Sequence, residues 1–164
     1  MYVGSKTKLT FFKNDGNEFS PLWLSGVAYS SLGGQTLPTN VAPAFGDLDG
    51  DGDYDMLIGC LDGVIWYIRN DGQPTTPPHP DNDWTVVSKN YASIDVGSDS
   101  APYLADRDND SDLDMYIGSG NGIVYDYENT GDYQSPIWEW RKDILGTIDV
   151  GSSSRPAFVD IDGD

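Results

Sequence analysis

The sequence predicts an all-β protein, a β-propeller with three four-stranded blades per chain. Its 19 glycines and 10 prolines, mixed with 5 Trp, 10 Tyr and 5 Phe, are typical of short strands joined by tight turns. A unit of roughly 55 residues recurs along the chain, and each copy carries turn and strand signals for four strands. No apolar run is long enough to span a membrane, so membrane insertion is not expected.

The repeat is anchored on an acidic segment. "APAFGDLDGDGDYDMLIG" (42–59) aligns without a gap with "APYLADRDNDSDLDMYIG" (101–118), and "RPAFVDIDGD" (155–164) matches the first part of both. The anchors Asp47, Asp106 and Asp160 are 59 and 54 residues apart. Since "MYVGS" at the N terminus matches the end of this segment, the chain reads as three circularly permuted copies in a single propeller segment, 1–164. The copies are approximately 1–46 with 155–164, 47–105 and 106–154.

Each copy divides into four strands. In the third copy they are 101–106, 114–119, 122–129 and 137–145, with Gly, Asn, Asp or Ser at every junction. A propeller ring takes about four to eight blades, so three leave an open arc with an unpaired strand edge. We therefore expect two chains to close a six-bladed ring as a homodimer, the C-terminal strand of each pairing with the N-terminal strands of the other. The alternative is a piece of a longer chain whose other blades close the ring.

Two acidic loops are candidate metal sites. They read D-L-D-G-D-G-D-Y-D (47–55) and D-R-D-N-D-S-D-L-D (106–114). Carboxylates at positions 1, 3 and 5 of a tight loop can converge, a backbone carbonyl at position 7 can join them, and a carboxylate at position 9 can close the shell. Hard oxygen ligands in this number fit Ca²⁺ better than Mg²⁺. The candidate metal-binding residues are Asp47, Asp49, Asp51, Asp53, Asp55, Asp106, Asp108, Asp110, Asp112, Asp114, Asp160, Asp162 and Asp164.

The loops differ in detail. Gly52 permits the sharp turn at position 6, where the second loop has the less favourable Ser111. Asp53 and Asp112 are expected to offer main-chain oxygens, with side chains that are solvated or hydrogen-bonded. The segment with Asp160, Asp162 and Asp164 lacks positions 7 and 9, which leaves metal binding there open. The competing interpretation, solvated Asp-rich turns, requires five mutually repelling carboxylates in nine residues without a cation.

An EF-hand requires Glu at position 12, where this chain has Ile58 and Ile117. The loop is instead expected to connect two strands. The pattern D-x-D-x-D-G-x-x-D between strands, followed by "GVIWYIRNDG", resembles the FG-GAP or VCBS repeat, the calcium-binding blade of integrin-like β-propellers. The resemblance implies ligands from the side chains at positions 1, 3, 5 and 9 and the carbonyl at position 7. The chain departs from it where Phe45-Gly46 is replaced by Leu104-Ala105 and Phe158-Val159.

Other functions have little support. A formal charge of −18, with 24 Asp among 27 acidic residues, excludes nucleic acid as a favoured partner. His79 is the only histidine and is expected in an exposed loop, and Cys60 is expected to be buried. No phosphate loop or nucleophile elbow occurs, so no catalytic residues and no organic cofactor are expected. The carboxylates outside the loops are expected to be scattered over polar strand faces and turns: Asp62, Asp83, Asp126, Glu128 and Asp143.

The sequence thus predicts a calcium-stabilised binding or structural module, not an enzyme. No signal peptide is recognisable, yet calcium loops of this kind favour a secreted or surface-attached parent protein that engages a protein or glycan. Two alternatives remain. One is a lectin using exposed aromatics such as Trp140, although Trp66, Tyr67, Tyr125, Tyr127 and Trp138 are typical of packing between blades. The other is part of a polysaccharide-degrading enzyme, either catalytic or non-catalytic.

Overall fold

The computed structural model describes residues 1–17, 19–23, 25–72, 83–142 and 148–159. These residues form four small antiparallel sheets and contain no α-helix. Within them, no helix is long and apolar enough to cross a membrane. The predicted all-β class is therefore confirmed.

The first sheet contains three strands in the order β1 (Tyr2–Gly4), β2 (Leu9–Phe11) and β3 (Val27–Tyr29). A separate two-stranded ladder follows, formed by β4 (Ser31–Leu32) and β5 (Gln35–Thr36). β1 is an edge of the first sheet, because among the described residues it pairs only with β2.

The second and third sheets are four-stranded meanders in which each strand pairs with the next along the chain. The second sheet consists of β6 (Ala42–Gly46), β7 (Asp55–Gly59), β8 (Ile65–Asn70) and β9 (Trp84–Ser88). After a short 3₁₀ turn at Tyr91–Ser93, the third consists of β10 (Ala101–Ala105), β11 (Asp114–Gly118), β12 (Val124–Asn129) and β13 (Trp138–Trp140). All four strands predicted for the third copy are present, but β13 is much shorter than 137–145. Residues 143–145 of that prediction lie outside the described residues.

The sheets pack through two apolar cores. In β7, Met56 and Ile58 point into a core shared with the first sheet, whereas Leu57 points into a core shared with the third. Because successive side chains of a strand point to opposite faces, a strand covered on both sides has an uninterrupted apolar sequence. This explains why "DMLIG" and "DMYIG" are buried along their whole length.

Candidate metal centre

Each complete acidic loop connects the first and second strands of a four-stranded sheet, as predicted. Gly46 at the end of β6 pairs with Asp55 at the start of β7, and Ala105 pairs with Asp114 in the same way. Gly52 has φ +94°, a left-handed conformation that glycine adopts without strain, whereas Ser111 adopts φ 79° at the same position. The second loop therefore forms the same turn at a higher conformational cost.

The carboxylates at positions 1, 3 and 5 converge in both loops. In the first loop, one oxygen from each of Asp47, Asp49 and Asp51 lies within 4.8 Å of the others. Backbone N–H groups hold this arrangement: Gly52 donates to Asp47 Oδ2 at 3.1 Å, and Asp53 donates to Asp51 Oδ1 at 3.0 Å. The loop backbone thus positions the carboxylates but brings no positive charge between them.

The second loop repeats this geometry. Asp106, Asp108 and Asp110 form the matching cluster, with one oxygen of each again within 4.8 Å of the others. The Ser111 N–H donates to Asp106 Oδ2 at 3.1 Å, and the Asp112 N–H donates to Asp110 Oδ1 at 3.0 Å. Two different sequences therefore fold into one arrangement of oxygens.

At position 7, Asp53 differs from the sequence-based expectation of solvation or hydrogen bonding, whereas Asp112 meets it in part, through a side-chain hydrogen bond with Asn129. Asp53 is only 6% exposed, and neither of its carboxylate oxygens has a hydrogen-bond partner. Burial and repulsion from Asp51, Asp49 and Asp47 raise the pKa of Asp53, which places its charge beside the cluster. In the second loop, Asp112 is 8% exposed, its Oδ1 has no partner, and burial with repulsion from Asp110 raises its pKa to about 6.

A buried carboxylate without a partner is costly, because it loses its hydration without gaining a compensating contact. In both loops this cost arises at position 7, next to three converging carboxylates, at both oxygens of Asp53 and at Oδ1 of Asp112. A cation bound among them would offset the cost in both places. The donor set of carboxylate oxygens is the hard-oxygen type that Ca²⁺ prefers.

The carboxylate at position 9 anchors the loop to the sheet. Asp55 is fully buried and accepts hydrogen bonds from the Leu48 N–H at 3.2 Å, the Tyr67 hydroxyl at 2.9 Å and the Asn70 N–H at 2.9 Å. Burial still raises the pKa of Asp55 to about 6. Asp55 lies outside the group of three converging carboxylates, and its predicted role as a metal ligand stays a prediction.

The third sheet keeps the two backbone hydrogen bonds of this anchor, including the Arg107 N–H that donates to Asp114 Oδ2 at 3.3 Å, and has an ion pair in place of the tyrosine hydroxyl. Asp114 accepts the Asn129 N–H at 3.0 Å, and Arg107 takes the place of Leu48 in the loop. Arg107 Nε lies 3.7 Å from Asp114 Oδ2, and its Nη1 lies 3.7 Å from Asp126 Oδ2. Asp126, which replaces Tyr67, is 1% exposed and its carboxylate accepts no hydrogen bond, so it is not the polar-face residue that the sequence predicted.

The linked exchange of Leu48 for Arg107 and of Tyr67 for Asp126 was not predicted from the sequence. The alignment of the two copies contains it, because an apolar and an aromatic position in the first copy are both charged in the second. Arg107 also lies 3.5 Å from Glu128, so one guanidinium faces three carboxylates.

The remaining predicted residues fall into two groups. Cys60 is buried, as expected, with its thiol 2.9 Å from Asp62 Oδ1, and Trp140 is 52% exposed. Several predicted residues lie outside the described part of the chain: His79, Asp143, Asp160, Asp162 and Asp164.

Comparisons of this chain with protein-family models, with curated proteins and with solved structures found no match. The functional assignment therefore depends on the geometry of the residues themselves.

Proposed function

We propose that this chain is a calcium-stabilised β-propeller module that binds a protein or a glycan and performs no catalysis. The observation that carries the calcium proposal is a pair of buried carboxylates, Asp53 with no hydrogen-bond partner and Asp112 with an unpartnered Oδ1, each beside three converging carboxylates. A divalent cation neutralises this charge and orders the connection between two strands. Calcium binding is then linked to folding, because the unfolded chain has no such cluster.

The propeller arrangement is supported by how the sheets lie next to one another. The first strands β6 and β10 are neighbours, and β1 lies on the other side of β6. Each four-stranded sheet runs outward from its first strand in the same order. This matches the FG-GAP or VCBS type of blade that the acidic loops resemble, with three sheets forming an arc. We propose that a second copy completes a ring of six.

The proposed role is binding because the described polar clusters have structural explanations. The loop carboxylates are assigned to cations, and Asp114, Asp126 and Glu128 surround Arg107. In propellers the partner is selected by variable loops on a rigid scaffold. Calcium concentrations outside cells favour a secreted or surface-attached parent protein.

One observation favours a lectin as a second candidate. The exposed Trp140 ring lies 5.8 Å from the Tyr125 ring, and Lys142 Nζ lies 5.8 Å from the Trp140 centroid. Exposed aromatic faces of this kind can stack on sugar rings. Hits on a glycan array that disappear in Trp140→Ala, with an unchanged melting temperature, would favour this candidate.

Isothermal titration of the chelator-treated chain with calcium tests the main proposal. We expect at least two sites per chain, one fewer in Asp49→Asn and one fewer in Asp108→Asn, and weaker binding of magnesium. Asp95→Asn is a matched control, since Asp95 is exposed and accepts an N–H from Gly97 at 2.7 Å outside the loops. Absence of calcium binding, or equal losses in all three variants, would contradict the proposal.

A further inference from the structure

We propose that the two outer faces of the row of sheets are the two halves of one interface, and that a second copy of this chain covers both. The first-sheet face consists of Met1 and Val3. The third-sheet face consists of Ile148 and Val150. This inference rests on the proposed propeller arrangement and names the residues that would join the two copies.

At the junction between the second and third sheets, the corresponding two faces are packed against each other and buried. Ile94 and Val96, just before β10, are each 4% exposed and belong to the same core as Met115 and Ile117 of β11, which are 0% exposed. The junction between the first and second sheets repeats the pattern. There Leu37 shares a core with Met56 and Ile58.

The third-sheet face carries the same residues without a cover. "TIDVG" (147–151) repeats "SIDVG" (93–97), so Ile148 and Val150 correspond to Ile94 and Val96. The backbone is also the same, because the Val96 N–H donates to Gly63 O at 3.1 Å and the Val150 N–H donates to Gly122 O at 3.1 Å. Nevertheless, Ile148 is 45% exposed and Val150 is 63% exposed.

The first-sheet face is the complementary half. "MYVGS" (1–5) repeats "MYIGS" (115–119), so Met1 and Val3 correspond to the fully buried Met115 and Ile117. Here Met1 is 55% exposed and Val3 is 43% exposed. The residues exposed at each end of the row are thus those that are covered at the internal junctions, so a second copy of this chain carries the surface that complements each end.

The segment after Val150 lies on the third sheet in the position that the first strand of a following sheet would take. The Ser154 N–H donates to Ser119 O at 3.0 Å, as the Ser100 N–H donates to Cys60 O at 3.0 Å where β10 begins. Phe158 lies against Tyr116 with ring centroids 4.1 Å apart, as Phe45 lies against Tyr2 at 5.2 Å.

The backbone approach at this docked segment is equally close. A Cβ on Gly118 would lie 2.0 Å from Ser154 O, and a Cβ on Gly59 would lie 2.2 Å from Ser100 O. Within the described residues, the segment 155–159 forms no strand ladder, whereas β6 and β10 each pair with the second strand of their own sheet. It therefore has the place of a first strand without the second strand that belongs to it.

The internal sheets fix the register of the missing pair. Pro43 faces Ile58 and Pro102 faces Ile117, so Pro156 of one copy should face Val3 of the other. This pairing would cover the free edge of β1, a position that invites strand addition. Two such head-to-tail contacts, related by a twofold axis, close a ring of six sheets and leave neither face exposed.

Size-exclusion chromatography with light scattering tests the interface. We expect the wild-type chain at twice its 17.9 kDa mass, and both Val150→Asp and Val3→Asp at the mass of one chain. Val87→Asp is the matched control, because Val87 is 50% exposed on β9 away from both faces, and it should remain dimeric. A wild-type chain at 17.9 kDa, or dimeric Val150→Asp and Val3→Asp variants, would overturn the inference.

Cross-linking tests the register. The double variant Val3→Cys with Pro156→Cys should give a disulfide-linked dimer on a non-reducing gel, and neither single variant should. A dimer without this cross-link would refute the stated register. Calcium-dependent melting, measured on Val150→Asp, separates this inference from the calcium proposal. If the wild-type chain is a monomer whose melting temperature still rises with calcium, only the interface proposal is wrong. If it is a dimer whose melting temperature does not change with calcium, only the calcium proposal is wrong.

Discussion

Replacing Asp51 by Asn should change the stability of the chain in opposite directions with and without calcium. The substitution removes one charge but keeps the side-chain oxygen that accepts the Asp53 N–H at 3.0 Å. Asp51 repels Asp47 and Asp49 across at most 4.8 Å. At that distance each pair costs about 1 kcal/mol in a dielectric of about 80, and salt screening over about 8 Å roughly halves the sum. Without a cation, Asp51→Asn should therefore gain about 1 kcal/mol.

With calcium the same change replaces a charged ligand oxygen by a neutral, weaker one. A loss of roughly a hundredfold in affinity corresponds to about 2.7 kcal/mol, so the variant should be about 2 kcal/mol less stable than wild type at saturating calcium. For a chain of this size the melting temperature should rise by about 3 °C in chelator and fall by about 6 °C in calcium. Thermal unfolding followed by tryptophan fluorescence measures both values.

Asp95→Asn, the matched control, should leave the melting temperature within about 1 °C of wild type in both buffers. The reasoning fails if Asp51→Asn shifts the melting temperature in the same direction in chelator and in calcium. Such a result would mean that the converging carboxylates neither repel one another nor share a cation.

Three further predictions concern stability. Arg107→Met should cost about 3 kcal/mol in urea unfolding, because it leaves the 1% exposed Asp126 beside other carboxylates without a cation. In chelator, the free energy of unfolding should rise by about 1 kcal/mol for each of Asp55 and Asp112 as the pH falls from about 7 to 5, since burial raises both pKa values to about 6. Gly59→Ala should cost about 2 kcal/mol in urea unfolding, because the new Cβ would meet a carbonyl oxygen at 2.2 Å.

Each of these three predictions has a control or an outcome that would contradict it. In calcium, Arg69→Met, which removes an exposed guanidinium paired with Asp71 and 4.0 Å from Asp49, should cost less than about 1 kcal/mol, and an equal loss in both arginine variants would contradict the role given to Arg107. The sign of the pH effect follows from the raised pKa values, since protonation favours the folded state below pH 6. Calcium-loaded protein should lose stability over the same range, because protons compete with the cation. An unchanged Gly59→Ala would contradict the close contact between the second and third sheets.

The strands and the converging carboxylates could be predicted because both depend on local periodicity. Alternation and turn residues fix where β6 and β7 begin and end, and the spacing of Asp47, Asp49 and Asp51 brings their side chains to one side of a tight loop. Because the two copies share one register, the strand and ligand positions predicted in one copy support those predicted in the other. Even the continuous apolar sequence of β7 is explained by a core on each side of it.

The environment of individual side chains could not be predicted in this way. Asp53 was expected at a solvated or hydrogen-bonded position, yet the fold buries it beside the other carboxylates, which spacing in the sequence cannot reveal. Asp126 was expected on a polar face, but it lies under Arg107, a contact between residues 19 positions apart. The end of β13 at Trp140 depends on tertiary pairing with Tyr127, not on local propensity.

The most direct test of the account is a thermal melt of the whole chain in chelator and in excess calcium. We expect a large, calcium-specific rise in melting temperature, with a much smaller rise in magnesium, because two clusters of converging carboxylates, each with a buried carboxylate at position 7, are neutralised at once. An identical transition in chelator and in calcium would contradict the claim that these loops are cation sites.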